Sequence, residues 1–265
     1  MSLLSPDFLS GRSGNALALL PGRAVLRAGG RLLEQAEGEG WAGALASLET
    51  LLAQARPAGS VAVVLSHHFA RVLLLAPPPV RLNAREMEGW LREVLTRDYG
   101  AQAATWQLAW QDPAPGRPVP LAVLDRERLA RLQERLVQDG LELKSLEPWF
   151  AAAWNRHRAA LGRQSGWFAL LEPGRIALAR VEAGRPVALR TQPSAGAAAE
   201  DLKAMIQRET LHGGFAGAGP VWTVALDVDL PVAGSLAGRP IQALLPAGAG
   251  AGAGMFGLVR SGATR

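Results

Sequence analysis

Apolar and polar positions along this chain follow two periods, and each change of period marks an element. One pattern occurs twice. Ala18-Leu-Leu-Pro-Gly-Arg-Ala-Val-Leu-Arg27 sets an apolar run, a Pro-Gly turn and an alternating strand in sequence, and Phe168-Ala-Leu-Leu-Glu-Pro-Gly-Arg-Ile-Ala-Leu-Ala-Arg180 repeats it with Glu172 inserted. The turn glycines, Gly22 and Gly174, lie 152 positions apart. Each copy predicts a β-hairpin, and the repeat predicts two lobes that open in the same way.

Between the hairpins the periods change in order. Arg31–Ala36 reads as a strand, and Trp41–Ala55 has helical spacing through Leu45, Leu48, Leu51 and Leu52. Ser60–Leu65 and Phe69–Leu75 read as strands of the first lobe. Asn83 followed by Glu86 forms a capping box that opens a helix through Met87, Trp90, Leu91, Val94 and Leu95, ending at Tyr99-Gly100. Thr105–Trp110 alternates as a strand, and a proline-rich turn follows. Residues 77–118 thus read as an inserted subdomain. Next come a strand at Pro120–Leu124, a helix at Arg126–Asp139, a strand at Leu141–Leu146 and a helix from Pro148 to Gly162. After the second hairpin, Pro186–Thr191 extends the sheet, Ala198–Leu211 is helical, and Val221–Val228 and Ile241–Leu245 are strands. Gly248–Gly254 alternates glycine with alanine and predicts a flexible tail. The fold class is α/β, with a first lobe over 1–162, a shortened second lobe over 163–246 and a tail over 247–265.

Composition narrows the chemistry. The formal charge of +5 comes from arginines scattered among acids, so solvated helix faces are expected rather than a nucleic-acid patch. The chain has no cysteine, which removes disulfides, zinc–thiolate sites and thiol catalysis. No apolar run reaches membrane-spanning length, and the first residues lack a signal-peptide pattern, so a cytoplasmic protein is expected. A Gly-x-Ser-x-Gly elbow, a Walker A loop and a strand-associated dinucleotide motif are all missing from the sequence. His67-His68 ends a strand; neighbouring strand residues point to opposite faces, so the pair does not chelate one ion and no metal site is expected. Glu172, at a turn after an apolar strand, is the leading candidate for a functional acid, and Asp227 and Asp229, which alternate along the predicted late strand, come next.

Two lobes, each opening on a hairpin whose turn could face a phosphate, resemble the actin-like ATPase fold, a ribonuclease H-like repeat. More narrowly, the chain resembles PilM-like type IV pilus assembly proteins and the cytoplasmic domain of the type II secretion L protein. The likeness rests on Ser60-Val-Ala-Val-Val-Leu-Ser66 with Arg71, on Glu86–Gly100 with Trp106, on Pro120–Asp125, on Gly140–Pro148 and on Trp167–Val181. It implies a cytosolic adaptor, peripheral at the inner membrane, that binds a bitopic assembly protein (PilN-like or secretion M-like), the assembly ATPase, or both; a homodimer is left open.

In an active member of this fold both turns carry an aspartate and a glycine-rich loop, since backbone N–H groups approach phosphate and a carboxylate holds Mg²⁺. Here the first turn, Leu20-Pro-Gly-Arg23, has no acid, and the second, Glu172-Pro-Gly-Arg175, places proline where an N–H donor is wanted. A non-catalytic scaffold without a cofactor is therefore expected. The alternative is a switch or ATPase that binds ATP and Mg²⁺ through Gly22, Arg23, Glu172, Gly174 and Arg175. Partner binding is expected at Trp90, Tyr99, Trp106 and Trp110, because aromatic anchors dominate peptide-docking surfaces.

Overall fold

A computed structural model describes residues 14–213, 219–230 and 233–244. The predicted tail and Leu245 lie outside the described residues.

The two hairpins form, and each starts a sheet of the same topology. In the first lobe β1 (Asn15–Leu20), β2 (Arg23–Ala28) and β3 (Arg31–Ala36) make an antiparallel meander. Helix α1 (Gly40–Ala55) then crosses over to β4 (Gly59–Leu65), which runs parallel to β1, and β8 (Leu141–Pro148) lies parallel beyond it. The strand order is β3-β2-β1-β4-β8. In the second lobe β9 (Gly166–Glu172), β10 (Arg175–Glu182) and β11 (Arg185–Pro193) form the meander, and helix α5 (Ala198–Gly213) leads to β12 (Val221–Ala225). There β12 is parallel to β9, with β14 (Arg239–Ala243) and β13 (Ala233–Leu236) outside it, giving the order β11-β10-β9-β12-β14-β13.

The repeat extends to single hydrogen bonds. The turn carbonyl of Gly22 accepts from Glu37 N, just past β3, and that of Gly174 accepts from Ser194 N, just past β11. Ser66 N donates to Leu19 O where β4 ends, and Leu226 N donates to Leu171 O where β12 ends. Both glycines have φ near +70° (67° and 77°), which L-residues with a Cβ adopt only under strain.

A third sheet, β5-β7-β6, stands apart from both. It comprises β5 (Ala70–Leu75), β6 (Trp106–Trp110) and β7 (Val119–Asp125), and α2 (Ala84–Tyr99) covers it through Met87, Leu91 and Leu95. The capping box is present: Asn83 Oδ1 accepts from Arg85 N and Glu86 N, and Glu86 Oε2 accepts from Asn83 N. The predicted insertion at 77–118 is therefore too narrow, because its sheet runs from Ala70 to Asp125. Alternation identifies a strand but not its partners, and the Ser66–Phe69 turn takes β5 out of the first sheet.

Core placement follows strand alternation. Leu17 and Leu19 face α1 and α3 (Arg126–Gln138), whereas Ala16, Ala18 and Leu20 face the other lobe. That second face shares one buried core with α4 (Trp149–Leu161) and with Phe168, Leu170, Ala177 and Ala179. The alanines let the two sheets approach α4 closely, and Phe168 stacks edge-on against Phe150 at 5.6 Å and Trp154 at 5.4 Å. Trp167, Ala169 and Leu171 pack instead on Leu202, Met205 and Ile206 of α5. The lobes are joined by an apolar core, not merely by a linker.

Candidate functional site

At the junction of the lobes each hairpin is held by the loop that follows the fourth strand of the opposite lobe. Ser66 Oγ donates to Glu172 Oε2 at 2.5 Å, and His67 N donates to Glu172 Oε1 at 2.7 Å. His68 Nε2 lies 2.9 Å from Pro173 O, and His67 Nε2 lies 3.0 Å from Thr191 Oγ1. The related contact on the other side joins Asp227, just past β12, to Arg23, whose guanidinium also bonds Glu34 at 2.9 Å. These latches therefore follow the internal repeat of the fold.

The first turn is closed from within its own lobe. Gly22 N donates to Gly40 O at 2.9 Å, and Gly22 O also accepts from Ser47 Oγ at 3.3 Å. A Cβ on Gly22 would meet Gly38 O at 2.4 Å, and one on Gly43 would meet Glu37 O at 2.3 Å. The start of α1 thus fills the space beside the turn, and its backbone donor is already used.

Burial sets the charges here. Glu172 is pushed up to about 7 by burial, against its two hydrogen bonds and the Arg175 charge, which favour the anion. His67 is pushed down to about 3 by burial and by Arg175 and Arg71, so it is held neutral. Arg175 is lowered by burial and by Arg71, and its Nε is buried without a hydrogen-bond partner. A second acid escaped the sequence reading. Glu147 closes β8 beside Val64, is 1% exposed, has an unpartnered Oε1, and is pushed by burial to about 8. An acid between apolar residues in Leu146-Glu-Pro-Trp-Phe150 was the available signal.

These groups give opposed pH limbs. Glu147 and Glu172 keep protons that the unfolded chain releases above its ordinary range near 4.5, so their contribution is complete below that pH and lost as pH rises toward 7 to 8. His67 and His157, the latter pushed down to about 4 by burial, contribute above 6.5 and lose that contribution as pH falls. Replacing Glu147 with glutamine is expected to flatten the alkaline limb. Between pH 5.5 and 8 the variant should gain roughly 2–3 kcal/mol relative to the parent, at about 1.4 kcal/mol per pH unit. Urea unfolding at a series of pH values measures this, and parallel profiles would exclude it.

Away from the junction, a groove of about 400 Å³ opens where three parts of the chain meet. Its floor is Val72 and Leu74 of β5 with Phe150, Ala151 and Trp154 of α4; Pro113, Pro118, Pro186 and Val187 form its walls. Arg117, Arg158 and Arg185 stand at the rim with Asp112, and none of these arginines enters an ion pair among the described residues. The groove is apolar within and basic at its edge.

No protein-family model matches the sequence, and no curated protein sequence matches it. Solved structures do. A structure described as the PilM–PilN type IV pilus biogenesis complex superposes with a TM-score of 0.67 at 15% identity, over 93% of this chain and 90% of that one. The cytoplasmic domain of EpsL from Vibrio cholerae, an inner membrane component of the type II secretion system, gives 0.56 at 14% identity over 94% and 93%. A Bacteroides thetaiotaomicron protein described as having an actin-like ATPase fold and unknown function gives 0.53 at 10% identity over 82% of each chain. The chain has the actin-like fold.

Within this actin-like chain most of the predicted nucleotide residues are already engaged. Gly22 is bonded within its lobe, Arg23 is held by Glu34 and Asp227, and Glu172 is 3% exposed with its carboxylate turned onto Ser66 and His67. A Cβ on Gly174 would stand 3.6 Å from the His68 ring. Arg175 alone of the five keeps an unpaired side chain. The alternation placed Asp227 on a strand, but β12 ends at Ala225 and Asp227 sits in a bend at φ 49°.

Of the aromatic quartet, Trp106 is 8% exposed in the core under α2, against the edge of Tyr99, while Trp90, Tyr99 and Trp110 are half-buried against that core. Trp90 and Tyr99 also line a pocket of about 390 Å³ between the inserted sheet and β11. Trp106 faces inward because Asp125 and Val123 set its strand's register. Among the described residues no group of three or more His, Asp or Glu could hold a metal, and no helix is long and apolar enough to cross a membrane.

Proposed function

We propose that this chain is a non-catalytic scaffold of an assembly platform of the type IV pilus or type II secretion kind, which receives a partner segment in the groove beside the inserted sheet. The carrying observation is a contrast: among the described residues Gly22, Arg23 and Glu172 of the hairpin turns are engaged by the chain's own groups, while the groove stands open. Its chemistry favours an apolar segment flanked by acids, with aliphatic side chains against Trp154 and Phe150 and carboxylates on Arg117, Arg158 and Arg185. The fold likeness to the PilM of a PilM–PilN complex makes the cytoplasmic segment of a membrane protein of the PilN kind the first partner to try. The chain's place would then be at the cytoplasmic face of the inner membrane, held there by that partner.

Fluorescence anisotropy with a labelled peptide from the PilN-type protein of the same organism tests this. Saturable binding is expected, with Trp154→Ala weakening it by roughly tenfold or more, as for a central aromatic anchor. Arg158→Glu should weaken it further at low salt than at high salt. Binding that ignores both substitutions would remove the groove from the proposal.

A further inference from the structure

A separate pocket of about 230 Å³ lies at the foot of the inserted sheet, between the start of β5, the end of β7, the short helix Gly100–Thr105 and the first turn of α3. Its walls carry Arg71, Arg128 and His68. Both guanidiniums are held by aromatic faces. Arg71 Cζ lies 5.9 Å from the Trp106 centroid, and Arg128 Cζ lies 5.9 Å from Trp41 and 5.8 Å from Phe69. An aromatic face positions a cation while leaving its charge uncancelled and its N–H groups available.

The one acid on the wall does not neutralise them. Asp125 caps α3, with Oδ1 accepting from Glu127 N and Arg128 N and Oδ2 accepting from Thr105 Oγ1. Neither Arg71 nor Arg128 enters an ion pair among the described residues. Arg175 lies close enough that its charge and that of Arg71 oppose each other, and the acid beside it, Glu172, is turned away onto Ser66 and His67. Two fixed guanidiniums thus share the recess with a single carboxylate that pairs with neither, and net positive charge remains.

We propose that this pocket binds a phosphoryl dianion, as free phosphate or as the end of a phosphate monoester, between the guanidiniums of Arg71 and Arg128. A dianion balances two cations where a single carboxylate does not, and the planar guanidinium fork matches two phosphate oxygens. The Gln102 amide supplies a neutral donor on the same wall. The site uses side chains of the inserted sheet and α3, and it requires neither Gly22 nor Glu172.

Calorimetric titration of the full chain with sodium phosphate tests this, at about pH 7.5 where phosphate is mainly dianionic, with ionic strength held constant by chloride. A saturable single-site isotherm is expected below about 10 mM, the range in which even a weak site fills. Arg71→Gln and Arg128→Gln should each weaken it by about tenfold or more, the effect of losing a charge-assisted pair. Arg31→Gln, at an exposed arginine of β3 outside both pockets, should leave it unchanged. If Arg71→Gln does not fold, Arg71→Lys keeps the charge without the fork and should still weaken binding. Glycerol phosphate as a second titrant separates the sources: equal binding assigns a monoester, and binding of inorganic phosphate alone assigns the free ion. No saturation by the parent chain, or affinity unchanged in the Arg71 and Arg128 variants, would overturn the site.

Discussion

Phe168→Ala is expected to destabilise the protein by about 3–5 kcal/mol, the usual cost of truncating a fully enclosed phenylalanine. Its ring is 0% exposed and meets Phe150 and Trp154 edge-on, so it joins β9 of one lobe to α4 of the other. A typical domain has only about 5–15 kcal/mol in hand, so this one change removes a large share. The shape of the transition should change as well. With a shared core the two lobes unfold together, and once Phe168 is gone the coupling between them weakens. Leu202→Ala, in the core that α5 makes with the second sheet alone, should destabilise without that broadening. Urea unfolding followed by tryptophan fluorescence and by circular dichroism measures both effects. A loss under about 1 kcal/mol at Phe168 would mean that the lobes do not share a core.

The second large effect is expected at the latch. Glu172→Ala leaves Ser66 Oγ and His67 N buried without an acceptor, since both are enclosed and their partner is this carboxylate. Two orphaned donors cost roughly 2–5 kcal/mol. Glu172→Gln keeps one carbonyl acceptor and turns an N–H₂ toward a donor, so it should fall between the parent and the alanine variant. Removing both partners should be milder than the sum: Ser66→Ala and Glu172→Ala together are expected to be less than additive by about 1–2 kcal/mol, as for residues in one network. Strict additivity would show that the bond between them contributes nothing to stability. If Glu172 served a metal instead, its loss would raise stability in the metal-free protein, as happens when an uncompensated buried charge is removed.

What the sequence could convey follows from the range of each interaction. The hairpins were legible because a Pro-Gly turn between alternating strands acts over a few residues, and the Asn83–Glu86 capping box for the same reason. The repeated Ala-Leu-Leu and Pro-Gly-Arg stretches gave the two lobes, and the resemblance drawn from that order of elements gave the actin-like fold. Sheet membership was not legible. β5 and β7 alternate as any half-buried strand does, and nothing local says that they pair with each other and not with β4. The site was legible in its members but not in their state. Glu172 stood out as an acid at a turn, yet its partners Ser66 and His67 are 106 and 105 residues away, and Asp227 is 204 residues from Arg23. The tryptophans at 106 and 110 do share a face, but whether that face meets a helix or solvent depends on where α2 lands. Glu147 went unseen because a single acid in an apolar run carries no sign of whether it will find a partner.

Amide hydrogen exchange at Gly22 and His67 reports most directly on whether the lobe junction is a closed joint. Gly22 N donates to Gly40 O and His67 N to Glu172, so both amides should exchange only with global unfolding, at the rate of the core of β1 and β9. Adding Mg²⁺ and ATP should leave the Gly22 amide unchanged. Exchange at these two positions far faster than in the strands, or joint protection of both hairpin turns on adding Mg²⁺ and ATP, would contradict the account and return the junction to a nucleotide cleft.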